Sequence, residues 1–188
     1  MIVKRACDIA IAMIAGIILA IPMALIAAMV RITSQGPALY WSQRVGRENQ
    51  LFWMPKFRTM RIDTPVVATH LLHDPQRHLT PIGSFLRKTS LDELPQLWCI
   101  LLGKMSFVGP RPALFNQEDL IAARTAKGVH VLLPGLTGWA QVNGRDELSI
   151  PAKVELDAEY LRRQSTFFDL RILVMTAIKV AGSANVQH

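Results

Sequence analysis

The run IAIAMIAGIILAIPMALIAAMV, Ile9 to Val30, holds 22 residues without one charged or hydrogen-bonding side chain. As a helix it is about 33 Å long, close to the roughly 30 Å hydrocarbon core of a bilayer. A soluble core helix is rarely apolar on every face over that length. The apolar part of a signal peptide is shorter, at about 7–15 residues. The run therefore reads as a membrane anchor. Pro22 sits well inside it, removes one backbone hydrogen bond and clashes with the preceding turn, so a kink is expected there. Lys4 and Arg5 flank the entry; Arg31, Arg44, Arg47, Lys56, Arg58 and Arg61 follow the exit, opposed by Glu48. Positive residues favour the cytoplasmic side, and both flanks are positive. A helix broken near Ile21-Pro22 that returns to its own leaflet satisfies both flanks. A tilted single span stays open on pattern alone, because proline is common in such helices.

Outward from the anchor, the 188 residues give about one domain with a real core. Lys and Arg number 21 against 14 Asp and Glu, a formal charge of +7. That balance suits nucleic acid, anionic lipid or phosphorylated small molecules, and charge does not choose among them. Two cysteines, Cys7 and Cys99, exclude a disulfide framework and read as packed thiols in a reducing compartment. His70, His73 and His78 invite a metal, but no Cys or carboxylate constellation completes a ligand set, so they read as ordinary histidines.

Residues 38–60 predict a β-hairpin: Leu39, Trp41 and Gln43 alternate into a turn at Gly46-Arg47-Glu48-Asn49, and Leu51-Phe52-Trp53 return. A helix is expected from Leu91 to near Gly103, a second over Gln117–Lys127 stopped by Gly128, and a charged one over Pro151–Arg163. Asp169 is positioned to cap a last helix through Val180 whose broad apolar face suits core packing or a membrane interface. Leu133-Pro134-Gly135-Leu136-Thr137-Gly138-Trp139 reads as a shaped loop.

The chemistry concentrates in Arg87-Lys88-Thr89-Ser90-Leu91-Asp92-Glu93-Leu94-Pro95-Gln96-Leu97-Trp98, followed by Phe107-Val108-Gly109-Pro110-Arg111-Pro112. Two adjacent acids among fixed cations suit a phosphate, with one acid free to attack or to hold a metal. Ser90-x-x-Glu93 is equally a capping box ahead of Leu91, Leu94, Leu97, Trp98 and Leu101 at helical spacing. The two readings are compatible, since a helix N-terminus attracts phosphate.

Five ordered blocks resemble the bacterial sugar transferases, the small monotopic phosphoglycosyl transferases. They are Lys56-Phe57-Arg58-Thr59-Met60; Thr80-Pro81-Ile82-Gly83; Arg87-x-Thr89 through Leu97; Met105 through Pro112; and Pro134 through Arg145. The likeness starts at Lys4-Arg5-x-x-Asp8 and runs to about Thr176. Cys99 stands where asparagine is expected, Lys104 where an acid is common, and Ile21 where serine often precedes the membrane proline.

The resemblance implies an α+β fold, mostly helical with a short β-hairpin, an N-terminal re-entrant helix and interfacial amphipathic helices. Residues 1–35 would be the helix-break-helix anchor, with Pro22 at the break, and residues 36–188 the cytosolic catalytic domain. The implied reaction moves a sugar-1-phosphate from a UDP-sugar to undecaprenyl phosphate, at the cytoplasmic face of the bacterial inner membrane. It gives an undecaprenyl-diphosphate sugar and UMP, the first lipid-linked step of surface glycan or glycoprotein assembly. Asp92 would attack the β-phosphorus and hold the phosphosugar, while Glu93 helps position Mg2+. A carboxylate is a competent nucleophile for phosphorus, and the diphosphate charge must be offset before an anion can approach. Arg87, Arg111 and Arg145, with their planar forks, suit that task. Pro110, Arg111 and Pro112 would hold the nucleotide side and Gln141 the substrate. Lys56 and Arg58 would meet either the lipid phosphate or anionic headgroups. Thr64–Leu72 and Asp146–Pro151 are the segments expected to read the sugar. No nucleic-acid partner is expected, and a homodimer stays open. The competing readings are a membrane-bound lipid-phosphate phosphatase using Asp92 and a non-enzymatic module for anionic lipid.

Overall fold

A computed structural model of the chain describes residues 2–67, 72, 74–144 and 148–185. The molecule is a mostly helical α+β structure with two small sheets among the described residues. The apolar run forms two helices, α1 (Ile2–Ile18) and α2 (Ala20–Thr33), bent by 62° at a one-residue break. The break falls at Leu19, not at the expected Ile21-Pro22. Its cause is still Pro22. The carbonyl that Pro22 would have to approach, four residues back, belongs to Ile18, the last residue of α1. Leu19 N–H still donates to Ala15 O at 2.8 Å, and Leu19 O already accepts from Met23 N–H at 2.8 Å. Pro22 thus sits in the first turn of α2, where no donor is needed. No single described helix is long and apolar enough to cross a membrane, but the bent pair together passes that test.

The hairpin forms as expected. Strands β1 (Leu39–Val45) and β2 (Leu51–Phe57) pair antiparallel, from Leu39 opposite Phe57 to Val45 opposite Leu51. Its turn spans Arg47–Asn49, with Glu48 and Asn49 in the left-handed region. One face sends Phe52 and Met54 into a core with Leu97, Cys99, Ile100, Met105 and Ala12 of α1. The opposite face leaves Trp41, Leu51 and Trp53 exposed. The first face also carries Arg44 and Lys56 at its two ends, since opposed residues share a face.

Beyond the hairpin come α3 (Gly83–Lys88), a 3₁₀ turn over Leu91–Gln96, and α4 (Leu97–Leu101). The capping box does not form. Ser90 is left-handed at φ 57°, makes no side-chain cap, and offers only its carbonyl to Glu93 N–H at 3.2 Å. Sequence reading also missed a parallel pair, β3 (Ser106–Val108) and β4 (Gly135–Thr137). It lies in loops that pack backbone on backbone: Gly109 N–H donates to Thr137 O and Gly135 N–H to Pro110 O, both at 2.9 Å. Glycine is required there by space, because a Cβ on Gly138 would lie 2.0 Å from Gly109 O.

The rest of the chain is α5 (Glu118–Ala126), the short α6 (Trp139–Val142), α7 (Ile150–Arg163) and α8 (Thr166–Asn185). Trp139, Tyr160, Phe168 and Ile172 form the core between the last three. Asp169 does not cap α8. Ser165 does, its Oγ accepting from Phe168 N–H at 3.2 Å. The Asp169 carboxylate instead takes Lys4 Nζ at 2.5 Å and Tyr160 OH at 2.6 Å. Lys4 also donates to Val108 O, and Arg5 donates to Ile100 O and Leu101 O, closing the end of α4. The N-terminal turns of α1 are thereby tied to the strand that leads into Gly109-Pro110-Arg111. Cys99 is buried as expected, but Cys7 is exposed, so the packed-thiol expectation fails for it.

Candidate active site

The 3₁₀ turn puts two consecutive carboxylates, Asp92 and Glu93, on the wall of a cleft of about 500 Å3, both largely buried. A 3₁₀ geometry suits Leu91–Gln96 because Pro95 has no N–H to extend an α-helical ladder. The two acids meet different surroundings. Glu93 Oε1 accepts from Lys56 Nζ at 2.8 Å and from Arg111 at 3.0 Å. Burial alone would push its carboxyl up, but the Arg111 and Lys56 cations hold it well below the usual carboxylate range. For Asp92 burial wins: its carboxyl is pushed up despite Lys56, and the charge of Glu93 adds to the rise. Burial likewise lowers Lys56, against the pull of Glu93. One acid is a fixed anion, and its neighbour is the more basic carboxylate.

The cations come from separate elements. Arg87 projects from α3 and Lys56 from β2, while Arg111 stands in the loop after β3. Arg44 of β1 lines the same cleft. It donates to Ser42 Oγ at 2.9 Å and to Pro112 O at 3.2 Å, and burial beside Arg111 pushes its guanidinium down to about 10. Arg124 on α5 forms a buried pair with Asp157 on α7, at 2.9 and 2.7 Å. Its remaining nitrogen donates to the Arg111 carbonyl at 2.8 Å. The Arg111 loop is thus held from below by a guanidinium that is itself fixed.

The structure brings Asp92, Glu93, Arg87, Arg111, Pro112, Gln141 and Lys56 to one cleft. Pro110 turns away from it, its carbonyl held by Gly135 N–H, and lines a smaller hollow behind the loop. Arg58 does not line the cleft; it is buried and donates to Pro37 O at 2.8 Å, below α2. Gln141 donates to Leu136 O, which fixes its amide. Arg145 lies outside the described residues, as do His70, His73 and parts of both segments expected to read the sugar. Val67, at the described end of the first such segment, does line the cleft.

Arg44, Arg124 and Asp157 were missed from sequence. A signal existed for Arg44, which shares a hairpin face with Lys56. None existed for the Arg124–Asp157 pair, whose members come from different helices 33 residues apart.

Among the described residues no group of three His, Cys, Asp or Glu side chains could hold a metal unaided. The donor set fits a hard cation that keeps some waters and borrows phosphate oxygens, as Mg2+ does. Glu93, held ionised beside Asp92, is the oxygen ligand such an ion would find.

Comparison with known proteins identifies the family. The profile of the family described as bacterial sugar transferase matches residues 1–183, and the chain belongs to that family. It is 40% identical over 188 residues to the "Uncharacterized sugar transferase EpsL" of Bacillus subtilis, covering all of this chain and 92% of that protein. It is 38% identical over 189 residues to the UDP-glucose:undecaprenyl-phosphate glucose-1-phosphate transferase of Escherichia coli, covering 95% of this chain. It is 39% identical over 160 residues to the undecaprenyl-phosphate galactose phosphotransferase of Salmonella typhimurium, covering 76% of this chain. The chain spans 40% and 33% of those last two proteins, respectively.

Proposed function

We propose that the chain is a phosphoglycosyl transferase that moves a sugar-1-phosphate from a UDP-sugar to undecaprenyl phosphate through a covalent intermediate on Asp92. One observation carries this reading: adjacent acids in one cation-lined cleft, with Glu93 locked by Lys56 and Arg111 and Asp92 left the more basic. The names of the relatives, which print undecaprenyl phosphate as acceptor, support it.

In the first half-reaction an Asp92 carboxylate oxygen attacks the β-phosphorus. The bond from that phosphorus to the bridging oxygen breaks, and UMP leaves with the electron pair. The product is an acyl phosphate carrying the sugar. In the second half-reaction a phosphate oxygen of the lipid attacks the same phosphorus, the acyl-oxygen bond to phosphorus breaks, and Asp92 returns as carboxylate. Arg111 and Arg87 offset the charge of the diphosphate, and Arg124 keeps the Arg111 loop in place. A bound Mg2+, held by Glu93, would neutralise diphosphate oxygens.

The anchor is read as re-entrant. Along α1 and α2, Ile14, Ile17, Ile18, Ile21, Leu25 and Ile32 are exposed, as a lipid-facing surface would be. On α8, Phe167, Leu170, Val174 and Ile178 are exposed at three- and four-residue spacing, in keeping with an interfacial helix. A panel of UDP-sugars with undecaprenyl phosphate and Mg2+, scored by UMP release, tests the function. Sugar-dependent UMP and lipid-linked product support it; inorganic phosphate released from lipid phosphate alone would indicate a phosphatase instead.

A further inference from the structure

The loop that carries Arg111 is held at four successive carbonyls by donors from three other elements. Pro110 O accepts from Gly135 N–H of β4 at 2.9 Å, and Ala113 O accepts from Val45 N–H of β1 at 3.0 Å. The two carbonyls between them take charged donors. Arg111 O accepts from Arg124 Nη1 at 2.8 Å, and Pro112 O accepts from Arg44 Nη1 at 3.2 Å. Each guanidinium is itself anchored through another nitrogen. Arg124 is fixed by Asp157 at 2.9 and 2.7 Å, and Arg44 Nε donates at 2.9 Å to Oγ of Ser42, which is buried in the hairpin. A planar fork with several donors permits this double engagement, which a lysine point charge does not. The ring of Pro112 sets its φ, and Arg44 holds the carbonyl that would swing with ψ. Pro112 therefore cannot act as a pivot, and the Arg111 side chain, which donates to Glu93 at 3.0 Å, keeps its aim. Burial and the neighbouring Arg111 charge push the Arg44 guanidinium down to about 10, so electrostatics oppose its place here. Groups set against their own electrostatics cluster at functional sites.

We propose that Arg44 is a positioning residue for the phosphoryl transfer: with Arg124 it clamps adjoining carbonyls of the Arg111 loop and fixes the direction in which the Arg111 guanidinium meets the diphosphate. That diphosphate is the UDP-sugar's in the proposed function, on which this reading rests. Arg44 acts through Arg111. Its loss should therefore matter only while Arg111 has a fork to aim. A direct contact between Arg44 and substrate, or a purely structural role, would cost the same whichever residue occupies position 111.

The test is a double-mutant cycle on the full chain in detergent, scored as kcat/KM for UMP release from the UDP-sugar that the wild-type protein turns over. Arg44→Met is expected to lower kcat/KM at least about tenfold in the wild-type background and less than about threefold in an Arg111→Lys background. Ser42→Ala keeps the Arg44 charge but unpins the guanidinium. It should cost about threefold in the wild-type background and nothing measurable in Arg111→Lys. Losses of equal size in the two backgrounds overturn the proposal, and so does wild-type activity in either Arg44→Met or Ser42→Ala. If a thermal melt shows that Arg44→Met does not fold, Ser42→Ala carries the cycle by itself and the same outcomes decide it. Wild-type turnover with additive losses removes this inference and leaves the function standing, whereas no UMP release from any UDP-sugar removes both.

Discussion

Asp92 and Glu93 are neighbours in sequence and opposites in electrostatics, and the difference should appear in the pH profile. In the proposed mechanism Asp92 attacks only as a carboxylate, and burial raises its pKa above the ordinary value of about 3.9. The first half-reaction, read as the rate of UMP release in a single turnover, should therefore lose rate on acidification at a pH above that value. Glu93 behaves oppositely. Its folded pKa is depressed, so its contribution to stability is complete above about 4.3 and lost only as pH falls through the folded value. Activity should fall before the site collapses; an acid limb at or below the ordinary aspartate value would contradict this assignment. Arg111 gives the second prediction at this scale. Its side chain meets Glu93 while Arg124 holds its carbonyl. Arg111→Lys keeps the charge and loses the planar fork, and should cut kcat/KM at least about tenfold, near 1.4 kcal/mol. Unchanged kinetics would make Arg111 a bystander.

At the scale of elements, the backbone contact between the Gly109 and Gly138 loops is the most exacting fit. Gly138 is extended, so alanine there is excluded by space, with its Cβ 2.0 Å from Gly109 O. Gly138→Ala should lower the Tm by about 4 °C or more in a thermal melt; an unchanged melt would mean the loops separate freely. This is also where sequence reading stopped. The hairpin was legible because alternation and its turn are local signals. The parallel pair was not, because each strand is three residues long and its partner lies some thirty residues away among prolines and glycines. Ser90-x-x-Glu93 carried a capping signal that the left-handed Ser90 did not honour, since Glu93 is engaged by Lys56 and Arg111 instead. Asp169 was legible as a helix-start acid, yet its partners come from residues 4 and 160.

At the scale of the whole molecule, the bent helix pair α1–α2 and the cleft are parts of one structure. Ala12 of α1 is fully buried against the hairpin and α4, and Lys4 reaches Val108 just before the Arg111 loop. A re-entrant anchor must leave Val3 and Gln35 on the same side of the membrane. In a Cys7→Ser background, with Cys99 buried, cysteines placed singly at Val3 and Gln35 should both resist an impermeant maleimide applied to intact cells. Pro22→Ala restores a donor to the Ile18 carbonyl and should straighten the helix, exposing one of the two positions outside. Labelling of one position and not the other without that substitution would rule the re-entrant helix pair out, and labelling of both would place its ends on the outer side.

A covalent route lets a soluble donor and a membrane-embedded acceptor use one small cleft in turn, and that intermediate is the claim on which the account depends. The direct measurement is mass spectrometry of protein quenched with UDP-sugar and Mg2+ in the absence of lipid. A phosphosugar adduct should appear on the peptide containing Asp92, with UMP released before any acceptor is added and the adduct reversed by excess UMP. Asp92→Asn should abolish adduct and turnover together, while Glu93→Gln should slow adduct formation without moving it. An adduct on Glu93, or full turnover by Asp92→Asn, would contradict the account.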